Sequence, residues 1–195
     1  MQFSEGALYH IYNRGNNKQK IFFNRDNYLY FLQKVSKYIA SSSDILAWCL
    51  MPNHFHFLIH ANDKTCTVIK EQPVKINALT EGIRLLLSSY TKGIQKQELY
   101  TGNLFQQKTK SKCVDDGNER YGEMSFHYIH QNPLRAKLVS KMEDWEFSSF
   151  PDYAGLRNGQ LCKKDLAIKL FDMTNRDFMK LSYQMIPGEL EGKIF

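Results

Sequence analysis

An α+β fold built on an antiparallel sheet is predicted by three observations. Short β-branched and aromatic runs end at Gly, Asn and Pro clusters, two long stretches carry apolar residues at helical spacing, and the elements follow the order strand, helix, strand, strand, helix, strand. That order is the split βαβ, or ferredoxin-like, arrangement, in which helices cover one face of the sheet and the other face is free to work. With 195 residues, 43% of them hydrophobic, the chain can bury one real core and carry a terminal extension.

Residues 7–13, ALYHIYN, read as the first strand, stopped by the turn cluster Arg14-Gly15-Asn16-Asn17. From Asp26, placed as an N-cap, Tyr28, Leu29, Phe31, Leu32, Val35, Tyr38 and Ile39 recur at helical spacing until Ser41 to Ser43 break the pattern. Residues 45–50 and 54–60 are apolar runs joined at Met51-Pro52-Asn53, which fits a hairpin with its proline kept out of the strands. Ile76, Leu79, Ile83, Leu86, Leu87, Tyr90 and Ile94 mark a long amphipathic helix interrupted by Gly82 and Gly93. A fourth strand is expected over residues 104–114 and a helix over 119–132, closed at Asn132-Pro133 because a residue before proline is steered out of the helical region. A tail follows Trp145, with one more helical pattern over 164–170.

Lys and Arg exceed Asp and Glu by 26 to 20, giving a net charge of +6 and a pI near 9.0, which suits a polyanionic partner. The four cysteines, at 49, 66, 113 and 162, are too widely spaced for a metal knuckle and sit in no secreted disulfide pattern, so reduced thiols are expected. The N-terminus has no signal-like apolar run, and no stretch of about 18 apolar residues occurs, so the expectation is a cytoplasmic protein with no membrane partner. Neither type of glycine-rich phosphate loop is present.

Strand alternation puts His54, His56, Leu58 and His60 on one face of the second hairpin strand and Phe55, Phe57 and Ile59 on the other. Two histidines at i and i+2 stand roughly 7 Å apart, close enough to converge on one divalent cation if a third ligand exists. By itself such a pair is as readily two solvated polar side chains, and His60 reads that way. In the helix before Pro133, Tyr128 and Asn132 fall on one stripe, about 100° from the Phe126 and Ile129 stripe that can face a core. Asn132-Pro133 also reads as an N-cap and first residue of a further turn through Val139, so the local pattern leaves Tyr128 and Asn132 open.

The segments YHIYNRGNNKQKIFF (9–23), CLMPNHFHFLIH (49–60), GNLFQQK (102–108) and YIHQNPLRAKLV (128–139) occur in this order, followed by WEFSSF (145–150). Together they resemble the single-tyrosine HUH transposases of the IS200 type, with the similarity closest to the subgroup associated with repetitive extragenic palindromes. The resemblance implies a transposase domain over 1–150 and a C-terminal extension over 151–195. It implies His54 and His56 as ligands of Mg²⁺ or Mn²⁺, Tyr128 as nucleophile, and Asn132, four residues on, as third ligand in place of the glutamine of other branches. Gln131 is not chosen, because it lies off the tyrosine's stripe. His10 is left outside the catalytic set, and Trp48 and Trp145 are read as core anchors.

The activity so implied is cleavage and rejoining of single-stranded DNA at hairpin-flanked sites through a 5′-phosphotyrosine link. Arg14, Lys108 and Arg135 are then candidate phosphate contacts. A hairpin-binding protein without catalysis on the same fold is the alternative, and a hydrolase using the histidine pair and water is a third reading. Homodimer and monomer both stay open, since relatives of both kinds exist.

Overall fold

The computed structural model describes residues 1–115, 119–173 and 177–184. The first strand, β1 (Leu8–Arg14), is followed by the helix α1 (Arg25–Tyr38) and the hairpin β2 (Asp44–Met51) and β3 (His54–His60). Next come α2 (Asp63–Cys66), the small hairpin β4 (Val68–Lys70) and β5 (Ile76–Asn77), the long helix α3 (Ala78–Glu98) and β6 (Lys110–Cys113). The helix α4 (Glu119–Arg135) and three short helices, α5 (Phe150–Tyr153), α6 (Lys164–Leu170) and α7 (Phe178–Tyr183), complete the described chain. The end of the C-terminal extension, 185–195, lies outside the described residues.

The main sheet has the order β2-β3-β1-β6, with every pairing antiparallel. Together with the helices α1 and α3 this is the α+β split βαβ arrangement that the element order predicts. Phe55, Phe57 and Ile59 of β3 and Ile11 of β1 meet Phe31 and Val35 of α1 and Leu86 and Tyr90 of α3 in one buried cluster. Residues at alternate positions of one strand thus share a face, as pleating requires. Gly82 lets α3 approach α1 closely, since a Cβ there would lie 2.2 Å from the Tyr38 carbonyl oxygen. The glycine that weakens the helical pattern in sequence is therefore a packing residue.

Several expectations are corrected. The N-cap of α1 is Asn24, not Asp26: its side chain accepts from the Asn27 backbone N–H at 3.0 Å, while Asn27 Oδ1 accepts from Phe23 N–H at 3.0 Å. Replacing Asn24 with Ala is expected to cost about 1 kcal/mol, read as a lower urea midpoint at unchanged slope. Ile76 belongs to β5, and α3 begins after Asn77, whose side chain caps it through Thr80 N–H. The expected strand over 104–114 is regular only at Lys110–Cys113, with an isolated bridge from Phe105 to Gly15 before it.

The second face of the sheet is not left free. Leu46, Ala47, Cys49, Met51 and Leu58 are buried there under Phe126 and Ile129 of α4 and under Ala167, Phe171 and Met173 of the C-terminal segment. The WEFSSF stretch is laid along the outer edge of β2, with Ser149 N–H donating to the Trp48 carbonyl at 2.9 Å and Leu50 N–H to the Phe147 carbonyl at 2.8 Å. It closes an edge that would otherwise present unpaired backbone groups. Trp48 is buried in the core; Trp145 is half-buried at its margin and donates Nε1–H to the Leu50 carbonyl at 3.1 Å.

Candidate functional site

At the end of the sheet where α4 does not cover it, β1 and β3 run side by side with Tyr12 opposite His56 and Arg14 opposite His54. The two histidines project to the face away from Phe55 and Phe57, as alternation predicts. Their rings lie 4.9 Å apart at 89°. They are not equally exposed: His56 is only 2% exposed, whereas His54 is half-buried. His54 Nδ1 lies 2.6 Å from Asn53 Oδ1, and His56 Nδ1 lies 2.9 Å from His10 Nε2.

Burial pushes the His54 pKa down to about 4, with Arg14 adding to the effect. Burial, and then the neighbouring His10, His54 and Arg14, hold His56 well below the ordinary imidazole range. Both are therefore neutral at pH 7, the form that ligates metal. His60 makes a different contact, with Nδ1 3.5 Å from Asp44 Oδ2 at the far end of the strand.

α4 presents three faces. Phe126, Ile129 and His130 are buried against the sheet and its flanking segments, with His130 Nε2 2.7 Å from Ser149 Oγ. His127 and Gln131 face α7: His127 Nδ1 is 2.9 Å from Ser182 Oγ, and Gln131 Nε2 donates to the Ser182 and Gln184 carbonyls, each at 2.8 Å. Tyr128 and Asn132 face the histidines across a cavity. Gln131 is thus placed off the tyrosine's stripe, holding the described part of the C-terminal extension.

The helix does not close at Asn132-Pro133 but continues to Arg135 with Pro133 inside it. Proline removes the N–H that the Ile129 carbonyl would accept and crowds that carbonyl. The Asn132 side chain offsets this, donating Nδ2–H to the Tyr128 carbonyl at 2.9 Å and to the Ile129 carbonyl at 3.4 Å. Those bonds occupy the amide nitrogen and leave Oδ1 as the atom that Asn132 can offer a ligand.

Tyr128, His54, His56, Asn132, Arg14 and Lys108 line one cavity of about 480 Å³, joined by Tyr12, Asn13, Gln106 and Lys110. Asn13 holds the loop that brings Gln106 and Lys108 here, donating Nδ2–H to the Gln106 carbonyl at 3.2 Å and to Thr109 Oγ1 at 2.9 Å. The lining has three cationic side chains and no carboxylate, and Arg14, Lys108 and Lys110 enter no ion pair among the described residues. Arg135 is not in the lining; its guanidinium stands 5.4 Å from the centre of the Tyr128 ring and donates to Gln131 Oε1 at 3.5 Å. Burial pushes the Tyr128 phenol up to about 12, and the Arg135 charge works against that rise.

The residues present fit a divalent cation. No group of three or more His, Cys, Asp or Glu is placed to hold a metal among the described residues, so an ion at the histidines would draw its third protein donor from an amide or phenol oxygen. Asn132 Oδ1 and the Tyr128 phenol are such donors in the cavity, whose lining also holds Tyr12, Asn13 and Gln106 with oxygens of the same two types. Two imidazole nitrogens and a hard oxygen suit Mn²⁺ and Mg²⁺, the latter with waters completing its shell.

The sequence reading leaves His10 outside the catalytic set and does not single out Tyr12 or Lys110. The signal is there in period two: His10, Tyr12 and Arg14 share a face of β1, and Lys108, Lys110 and Lys112 occupy alternate positions. What the pattern lacks is the register that sets Tyr12 between His56 and Lys110.

No family model and no curated protein matches the sequence. A solved structure, that of the REP-associated tyrosine transposase bound to a REP hairpin, is similar with a TM-score of 0.58 and 13% sequence identity. The match covers 84% of this chain and 95% of that one, so the two share a fold. No helix among the described residues is long and apolar enough to cross a membrane.

Proposed function

We propose that this protein is a metal-dependent transposase that cleaves and rejoins single-stranded DNA at hairpin-flanked sites. The observation that carries the reading is the convergence of Tyr128, Asn132, His54 and His56, from distant parts of the chain, on one cavity lined by cations without a carboxylate. Such a lining favours an anion, a phosphodiester among them, over a cationic or neutral ligand. The shared fold of a protein solved on a hairpin agrees with this substrate.

Tyr128 Oη attacks phosphorus, a Tyr–O–P bond forms, and the bond from phosphorus to the 3′-oxygen breaks. The departing oxygen takes up a proton to become a free 3′-hydroxyl, and the phenolic proton is lost. One phosphodiester replaces another, so the reverse attack by a 3′-hydroxyl rejoins DNA without ATP. His54, His56 and Asn132 would hold Mg²⁺ or Mn²⁺, which when bound polarises the phosphate and offsets charge on the leaving oxygen. The Arg135 guanidinium over the Tyr128 ring favours the phenolate as it forms. Arg14, Lys108 and Lys110 bind and orient the phosphate backbone. The site of action is the DNA of the cytoplasm, and nothing in the chemistry requires a second copy.

The test is to incubate the purified protein with Mg²⁺ or Mn²⁺ and single strands that fold into hairpins, taken from inverted repeats beside its gene and from palindromes dispersed in the same genome, then run a denaturing gel. Protein-linked DNA with a free 3′-hydroxyl supports the proposal. Binding without cleavage points to a non-catalytic hairpin binder, and cleavage without protein-linked DNA to a hydrolase that uses water. For Lys108→Ala with Lys110→Ala, the slope of log affinity against log salt is expected to become shallower by about 1.4, roughly 0.7 for each single-strand phosphate that the lysines no longer neutralise. Affinity should fall similarly for all sequences, and an unchanged slope would remove these lysines from the interface.

A further inference from the structure

We propose that His10 is a positioning residue that holds His56 in its Nδ1-protonated tautomer, so that His56 presents the Nε2 lone pair to a divalent cation. The choice of tautomer, like the metal, rests on the reading of His56 as a ligand; the geometry supplies the pairing of the two rings through His10 Nε2 and His56 Nδ1. His10 is 0% exposed, on the central strand β1, two residues from Tyr12, the residue directly opposite His56. That makes it the diagonal cross-strand neighbour of His56 on the same face. Its Nε2 lies 2.9 Å from His56 Nδ1, with the ring planes 24° apart. The Tyr12 ring packs against both imidazoles, 4.9 Å from His10 and 5.8 Å from His56, and limits their rotation.

Two imidazoles that share one proton across this contact can arrange it in two ways. In one, His56 Nδ1–H donates to His10 Nε2, and the His56 Nε2 lone pair is available to a cation. In the other, His10 Nε2–H donates to His56 Nδ1, and the proton on His56 Nε2 blocks ligation. His54 is served differently, because the amide oxygen of Asn53, 2.6 Å from its Nδ1, can only accept. The pair thus has one ligand fixed by a pure acceptor and one by an imidazole able to serve either way. A partner on the distal nitrogen orients a ligating histidine and raises its basicity, and losing it costs about 10–100-fold in metal affinity.

The experiment has two readouts. Long-range ¹⁵N–¹H correlation on the metal-free protein at neutral pH is expected to show His56 protonated at Nδ1. Mn²⁺ titration by calorimetry and electron paramagnetic resonance is expected to show a 10–100-fold weaker site in His10→Phe. His10→Gln, whose amide reaches the position of Nε2, is expected to stay within about threefold of the wild type. His56 protonated at Nε2 in the wild type, or equal losses in His10→Phe and His10→Gln, would overturn the proposal. Should His10→Phe fail to fold, the wild-type tautomer and the His10→Gln affinity decide it. A wild-type protein that binds no Mn²⁺ yet keeps His56 protonated at Nδ1 supports the role of His10 and counts against the metal reading.

Discussion

Tyr128→Phe is expected to abolish the protein–DNA adduct, lowering its rate of formation by at least ~10³-fold while changing hairpin affinity less than about threefold. The ring of Tyr128 is 7% exposed and lies under the Arg135 guanidinium, so phenylalanine keeps that packing and removes only the hydroxyl. No other group in the cavity can replace it in place, because the remaining candidate hydroxyl, Tyr12, lies on β1 against the rings of His10 and His56. The measurement pairs single-turnover adduct yield on a denaturing gel with a binding isotherm on the same oligonucleotide. Adduct at the wild-type rate would remove Tyr128 from the chemistry. An equal loss of binding would make it a contact rather than a nucleophile.

Acid is expected to destabilise the metal-free protein well above the range where carboxylates titrate. His54 is pushed down to about 4 in the folded state, against roughly 6.5 when unfolded. Below pH 6.5 the unfolded chain therefore binds the extra proton, and stability falls as pH drops toward 4. For His54 alone the loss between pH 7 and pH 5 is about 2 kcal/mol. Burial lowers His56 and His130 in the same direction, so the total exceeds that figure. Against a typical domain stability of about 5–15 kcal/mol this is a large fraction. Glu81, Glu143 and Glu146 are lowered by Arg84, Tyr183 and Arg25 respectively, so their contribution is lost only from about pH 5 downward, as the unfolded carboxyls take up protons first. Urea midpoints at pH 7 and pH 5 check the expectation, and equal midpoints would show that these histidines are not buried neutral.

Much of the scaffold follows from local pattern. The alternation of Phe55, Phe57 and Ile59 with His54 and His56 assigns the faces of β3 without reference to any other residue, and the spacing of Phe31 and Val35 does the same for α1. Boundaries are less legible where two residues compete for one role. Asn24 and Asp26 are both good caps, and the choice falls to the one whose neighbour, Asn27, can return a bond and also reach Gln97 Oε1 at 2.8 Å on α3. Pro133 reads as a helix stop for the same reason: steric preference is local, and the Asn132 carboxamide that relieves it is a side-chain contact.

From the order of residues it already follows that two histidines stand together on the face opposite the aromatic core, and that Tyr128 and Asn132 share one stripe of a helix. Both facts depend only on the periods of strand and helix. Folding in three dimensions was needed to establish that these two stripes face each other across a cavity, that the rest of the sheet face is covered by α4 and the C-terminal segment, and that His56 is buried against His10. Those outcomes depend on the pairing of β1 with β3 and on the packing of a helix some 70 residues downstream of the histidines, across contacts between Phe126, Ile129 and Leu58. No period in the chain encodes such a distance, because it is the burial of two separate apolar surfaces, one on each face of the sheet, that sets where the polar residues between them meet.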